Sequence, residues 1–193
     1  MIAIDIAILP PPSVTRLAIE LSAALPADGP RRLLLDRNDY LPHITMLQQF
    51  VDERALETCL ARVGEVVLAQ RPLALRVTGG GMGSSSVWMT IERTRALVDL
   101  HARVLAAARP FDRERGDASA FVDDDARDRD VQWVIGYRTS SSGDAFQPHI
   151  TLGHDVRPPS IELVDFEATT IAACHLGRFC SCRRILREWH LAC

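Results

Sequence analysis

The chain has no uninterrupted apolar run near the roughly 18 residues that a membrane-spanning helix needs, although 47% of its 193 residues are hydrophobic. It has little net charge as well: 22 basic side chains against 25 acidic ones leave a formal −3 at pH 7, with a pI near 6.1. Without a positive excess there is no general attraction to a polyanion, which argues against a surface that grips a long nucleic acid through many phosphates. A small phosphate compound, or only the end of an oligonucleotide, stays open. Residues 1–9 lack the basic leader of a secretory signal, include Asp5 and run into Pro10-Pro11-Pro12, so they read as a buried first strand. Cysteine is scarce and odd in number: Cys59, Cys174, Cys180, Cys182 and Cys193. With no export signal these read as reduced thiols of a cytoplasmic protein. The glycine-rich residues 79–83 lack a following Lys-Ser/Thr, which removes a phosphate-binding loop and leaves a hairpin turn.

What is present suffices for a substantial core. A charged fraction of 24% and a mean hydropathy of +0.03 belong to a soluble globular chain. The length suits one domain, residues 1–193, built from two lobes. After the first strand, Ser13 offers an N-cap for a helix to about residue 25, with Leu17, Leu21 and Ala24 at helical spacing. Asp52 caps a second helix over 53–69, whose Leu56, Leu60, Val63 and Val67 form an apolar stripe. Residues 73–78 and 87–91 alternate as the strands of a hairpin, and Thr94 caps a third helix over 95–108. Residues 112–130, dominated by Asp, Arg and Glu, read as a solvated loop with a short helical turn, and 131–137 as a strand. Strands over 169–176 and 183–191 close the chain. Strands outnumber helices and come in hairpin-like pairs, which predicts an α+β fold with mostly antiparallel sheets.

One seven-residue pattern occurs twice: Tyr40-Leu41-Pro42-His43-Ile44-Thr45-Met46 and Phe146-Gln147-Pro148-His149-Ile150-Thr151-Leu152. On a strand, His43 with Thr45 and His149 with Thr151 share one face each, while Ile44 and Ile150 point to a core. A fold that brings the two halves together supplies two imidazoles and two hydroxyls to one site. With ordinary pKa values near 6.5, one imidazole can take a proton from an attacking water or hydroxyl and the other can give one to a leaving oxygen. Thr45 and Thr151 can donate hydrogen bonds to the non-bridging phosphoryl oxygens. Cleavage of a strained 2′,3′-cyclic phosphate fits this equipment and calls for no metal and no cofactor.

On Pro42-His43-Ile44-Thr45 and Pro148-His149-Ile150-Thr151 the chain resembles the 2H phosphoesterase superfamily, which includes 2′-5′ RNA ligase-like proteins and cyclic nucleotide phosphodiesterases. The segment 73–91, with its glycine turn and Trp88 on the returning strand, followed by an amphipathic helix, is similar to the region between the motifs in that family. The charged residues 112–130 and the cysteine-rich C-terminal strands depart from the pattern. The resemblance implies a bilobal α+β fold with pseudo-two-fold symmetry and a central cleft. It implies too that His43 and His149 are the acid–base pair, with Thr45 and Thr151 on the phosphate.

Tyr40 and Phe146, three residues before each histidine, are candidates to stack on a nucleobase, or else pack against the core. His154, Arg157, Arg31 and Arg32 are candidates for phosphate or ribose. Cys180, Cys182 and Cys174 with nearby histidines invite a zinc site, but Cys180 and Cys182 have only one residue between them, so packed small side chains are the better reading. Asp123-Asp124-Asp125 reads as a solvated charge run in preference to a cation site. Two rivals accompany the phosphodiesterase reading: a metal-dependent hydrolase with His43 and His149 as ligands, and a non-catalytic nucleotide or RNA-end binding module. The expected partner is a small nucleotide or an RNA terminus, with no extended nucleic acid and no membrane.

Overall fold

Ile2, Ile4, Ile6 and Ile8 alternate with Ala3, Asp5 and Ala7, which gives the first strand one bulky face and one small face. In the computed structural model, which describes residues 1–26, 33–84, 86–155 and 157–192, this strand is β1 (Ile2–Leu9) and its isoleucines are buried in the main core. Arg31, Arg32 and Cys193 lie outside the described residues. Next along the chain come α1 (Pro12–Ala24), β2 (Ile44–Val51), α2 (Glu53–Leu68), β3 (Leu73–Met82), β4 (Ser86–Ile91) and α3 (Arg95–Ala108). Then follow α4 (Asp128–Ser140), β5 (His149–His154), β6 (Val164–Ala168), β7 (Thr170–Gly177) and β8 (Ser181–His190). Among the described residues the strands form two four-stranded sheets, ordered β2-β1-β7-β8 and β5-β4-β3-β6, and every pairing is antiparallel. This is the α+β class expected. One apolar cluster joins both sheets to α1, α2 and α3, with Ile6, Met46, Leu60, Met89, Leu100 and Ile150 among its buried members.

Several local expectations change. Residues 131–137 are helical, inside α4: Val131, Val134 and Tyr137 are buried at three-residue intervals while Gln132, Trp133 and Ile135 are exposed, a helical period that the β-branched residues mask. The glycines at 79–81 belong to β3, and the chain reverses later, where Gly83 N–H donates to Ser86 O at 2.8 Å. Residues 112–130 are not merely a solvated loop. Ala120, Phe121 and Val122 are buried, and Phe121 packs edge-on against Phe50 of β2 with ring centroids 5.9 Å apart. Several acidic side chains there are paired, among them Asp123 with Arg184 at 2.8 Å and Asp125 with Arg178 at 2.9 Å. Helix α1 begins at Pro12 with Pro11 as its N-cap, not Ser13, because a proline at the first helical position arrives with its φ already set. Strand β6, half exposed at a sheet edge, is an element beyond those the sequence predicts.

Candidate active site

The same local device places both motif histidines. Pro42 and Pro148 fix their own φ and keep the residue before them extended, which holds that residue's carbonyl where the following imidazole can reach it. His43 Nδ1 lies 2.7 Å from Leu41 O, and His149 Nδ1 lies 2.7 Å from Gln147 O. A carbonyl only accepts, so Nδ1 carries the hydrogen in each ring and Nε2 keeps its lone pair. The anchor of the first motif is itself tied down, since Leu41 N–H donates to Cys182 O at 3.0 Å.

His43 stands just ahead of β2 in one sheet and His149 opens β5 in the other. Both line one cleft of about 650 Å³, together with Thr45 and Thr151. The four motif side chains are therefore brought to one site. Burial pushes the His43 pKa down to about 4, opposed by its bond to Leu41, and a charge on His149 pushes it further down. His149 is lowered by burial as well. The cleft thus holds two neutral imidazoles, and a proton on one opposes a proton on the other. Trp88 of β4 pairs with Thr151 in register, and its ring lies 5.0 Å from that of His149.

Behind the first motif lies a group that the sequence pattern does not single out. Asp5 is fully buried on the small face of β1; Thr45 Oγ1 is 2.7 Å from its Oδ2, and Gln48 Nε2 donates to the same oxygen at 2.8 Å. His43 Nε2 is 3.7 Å away. Burial raises the Asp5 carboxyl to about 8 against the lowering effect of Gln48 and Thr45. The signal available in the sequence is an acid in the middle of an Ile/Ala alternation, on the face that carries only small residues.

The other candidates divide. His154 lines the cleft, its ring 5.3 Å from that of Phe179. Phe146 borders the cleft but is 2% exposed, with its ring stacked on His101 at 3.8 Å. Tyr40 is not among the cleft-lining residues; the Arg183 guanidinium covers its ring at 4.6 Å. Arg157 is exposed and also outside the lining. In their place α4 contributes Arg129, Trp133 and Tyr137, and Arg127 sits at its N-terminus. Reading 131–137 as a strand hides Trp133 and Tyr137, and reading 112–130 as a solvated loop hides Arg127 and Arg129.

Asp5, His43 and Cys182 offer potential metal-ligating atoms within 4.8 Å of one another; His149 is not in this group. Burial holds the Cys182 thiol well above its usual range, as it does Asp5, so a metal here would have to displace two protons. Cys59, Cys174, Cys180 and Cys182 are buried free thiols.

Solved structures share this fold of two antiparallel sheets. A structure described as a phosphoesterase superposes with a TM-score of 0.64 at 18% identity, covering 100% of each chain. The protein TT0787 of Thermus thermophilus gives 0.63 at 17%, covering 98% of each. Escherichia coli LigT, solved with 3′-AMP, gives 0.62 at 18%, again over 98% of each chain. No curated protein matches the chain. The sequence matches the 2′-5′ RNA ligase superfamily over residues 10–173, and the chain belongs to that family of 2H phosphoesterases.

Proposed function

We propose that the protein is a metal-independent phosphodiesterase that opens 2′,3′-cyclic phosphates of nucleotides or RNA ends, or cleaves related 2′-5′ linkages, by paired histidine acid–base catalysis. The observation that carries this reading is the matched pair of imidazoles. Each has its Nδ1 proton engaged by a backbone carbonyl two residues earlier and its Nε2 left for a ligand in the shared cleft. A bound phosphodiester anion draws a proton back onto one imidazole, because its charge offsets the burial that keeps both rings neutral. The neutral partner then takes a proton from the attacking water as the new P–O bond forms. The ring P–O bond breaks, and the imidazolium gives its proton to the departing ribose oxygen. One proton has moved from one histidine to the other, and exchange with solvent restores the start. In the reverse direction the roles exchange. Thr45 and Thr151 donate to the non-bridging oxygens throughout. That a LigT structure holds 3′-AMP and another holds phosphate supports a nucleotide phosphate as the ligand class.

The direct test is incubation with 2′,3′-cyclic nucleotides in EDTA, with the products resolved by phosphorus NMR. A single nucleoside monophosphate regioisomer formed at an undiminished rate is the expected result. Binding without product over long incubation would favour the binding-module reading, and loss of turnover in EDTA with recovery on adding zinc or manganese would favour a metal enzyme.

A further inference from the structure

The two motifs repeat in sequence but not in surroundings. Thr45 has a buried acid directly behind it, whereas Thr151 makes no side-chain hydrogen bond among the described residues. This asymmetry bears on what Thr45 can do. A hydroxyl has one proton. If Asp5 were a carboxylate, the 2.7 Å contact would consume that proton, and Thr45 could offer a phosphate only its lone pairs.

The geometry around Asp5 points the other way. Its Oδ1 is buried and has no hydrogen-bond partner among the described residues. A charge spread onto an unpartnered oxygen is far costlier than an unpartnered carbonyl. A proton placed on Oδ1 would meet no acceptor, so it belongs on Oδ2. There, two neighbours are within reach. Gln48 cannot accept it, because the same amide nitrogen that faces Asp5 also donates to Cys180 O at 3.1 Å, which fixes that end of the amide as the NH₂ group. Thr45 Oγ1 remains, at an ordinary distance for an O–H···O bond. The titratable groups that face Asp5 supply no cation: His43, Cys174 opposite it on β7, Cys182 on β8, Cys180 in the preceding turn, and Tyr137 on α4. Cys180, Cys182 and the Tyr137 phenol are held protonated by burial, and His43 is held neutral.

We propose that Asp5 is a positioning residue for the first motif: its carboxyl group, carrying a proton, donates through Oδ2 to Thr45 Oγ1 and thereby turns the Thr45 hydroxyl proton out to a phosphoryl oxygen. The proposal rests on the phosphodiesterase reading for its substrate, but its core is a hydrogen-bond direction that can be observed without turnover. When Asp5 loses its proton, Thr45 turns inward, its hydrogen bond to the phosphate is lost, and a negative charge develops beside His43, where it repels the anionic substrate. Asp5 thus couples the alkaline side of the pH profile to the first motif alone.

Asn cannot ionise and its amide can donate to Thr45 where the carboxyl proton did, but that NH₂ cannot accept from Gln48 Nε2 as Oδ2 does. Asp5→Asn is expected to lose the alkaline decline in turnover of 2′,3′-cyclic AMP, with part of the rate at pH 7 lost to the unmatched Gln48 donor. Asp5→Ala and Thr45→Val are each expected to lose roughly tenfold or more, the scale of one well-placed hydrogen bond to a charged oxygen. Binding of inorganic phosphate by calorimetry should show the same pattern in the absence of chemistry. An alkaline limb unchanged in Asp5→Asn would overturn the proposal. Carbon-13 NMR of the Asp5 carboxyl in the wild-type protein provides a readout that needs no variant: a titration well above the usual aspartate range supports the proposal, and one near about 4 contradicts it. If no cyclic phosphate is hydrolysed at all, the substrate reading fails while the phosphate-binding and NMR outcomes still decide the role of Asp5.

Discussion

At the scale of single residues, the unusual feature is a buried acid in the first strand. Folded Asp5 holds its proton up to about pH 8, whereas in the unfolded chain it ionises near its ordinary value of 3.8. Between those values the folded state binds the extra proton, so raising the pH destabilises the fold until Asp5 itself ionises. The histidines act in the opposite sense. Held neutral in the fold, His43 and His149 contribute stability that is present above their unfolded pKa near 6.5 and is lost as the pH falls toward their lowered folded values. His101, His154 and His175 are lowered by burial too, so the histidines together oppose the Asp5 slope just above pH 6.5, and comparison with Asp5→Asn isolates it. Relative to Asp5→Asn, wild-type stability should fall by about 2 kcal/mol from pH 6.5 to 8, from roughly 1.4 kcal/mol per pH unit. Denaturant melts of both proteins at closely spaced pH values measure it, and a difference in stability that stays constant with pH would contradict the buried neutral acid.

At the scale of elements, legibility follows periodicity. Strand β1, helices α2 and α3 and the two motif strands are readable because their apolar residues recur at a single period and their ends carry turn or capping residues; the Thr94 hydroxyl does accept from Leu97 N–H. Helix α4 is not readable. Its Val131, Val134 and Ile135 favour a strand locally, and its helical state is settled by docking, with Asp130 accepting from Arg127 N–H and Phe179 N–H and with the Arg127 guanidinium over the Phe179 ring. The site is legible as four residues because a repeated motif is a sequence object. Asp5, Trp133 and Arg129 are not, because only the tertiary fold carries Trp133 and Arg129 to the cleft and sets Asp5 behind Thr45. The glycines of β3 make the same point. A Cβ on Gly81 would overlap the Trp88 indole nitrogen, so the missing side chain is what lets Trp88 lie beside His149. Gly81→Ala should shift the tryptophan emission and lower kcat/KM by about tenfold to 10²-fold, the usual cost of misplacing an active-site group by an ångström. An unchanged rate alongside a shifted emission would show that Trp88 does not position the chemistry.

At the scale of the molecule, the sheets are not the two halves of the chain. The N-terminal β1 lies between β2 and the late β7, and β6 returns to pair with β3, so each sheet is assembled from distant segments before the cleft can exist. All 22 basic side chains are arginines, and many are matched with aspartates: Arg183 with Asp39, Arg184 with Asp123, Arg178 with Asp125, Arg138 with Asp112. Such pairs tie the charged segment to α4 and to the strand that ends the first sheet, with the turn before it. What this assembly achieves is the meeting of His43 and His149 across the cleft. The most direct measurement is therefore the turnover of a 2′,3′-cyclic nucleotide by His43→Ala, His149→Ala and the double variant, each verified as folded by circular dichroism. Each single replacement should lower turnover by about 10²–10⁴-fold, and the double variant should be little worse than either single one, because a proton relay with one member missing is already broken. Wild-type turnover in either folded single variant would contradict the account.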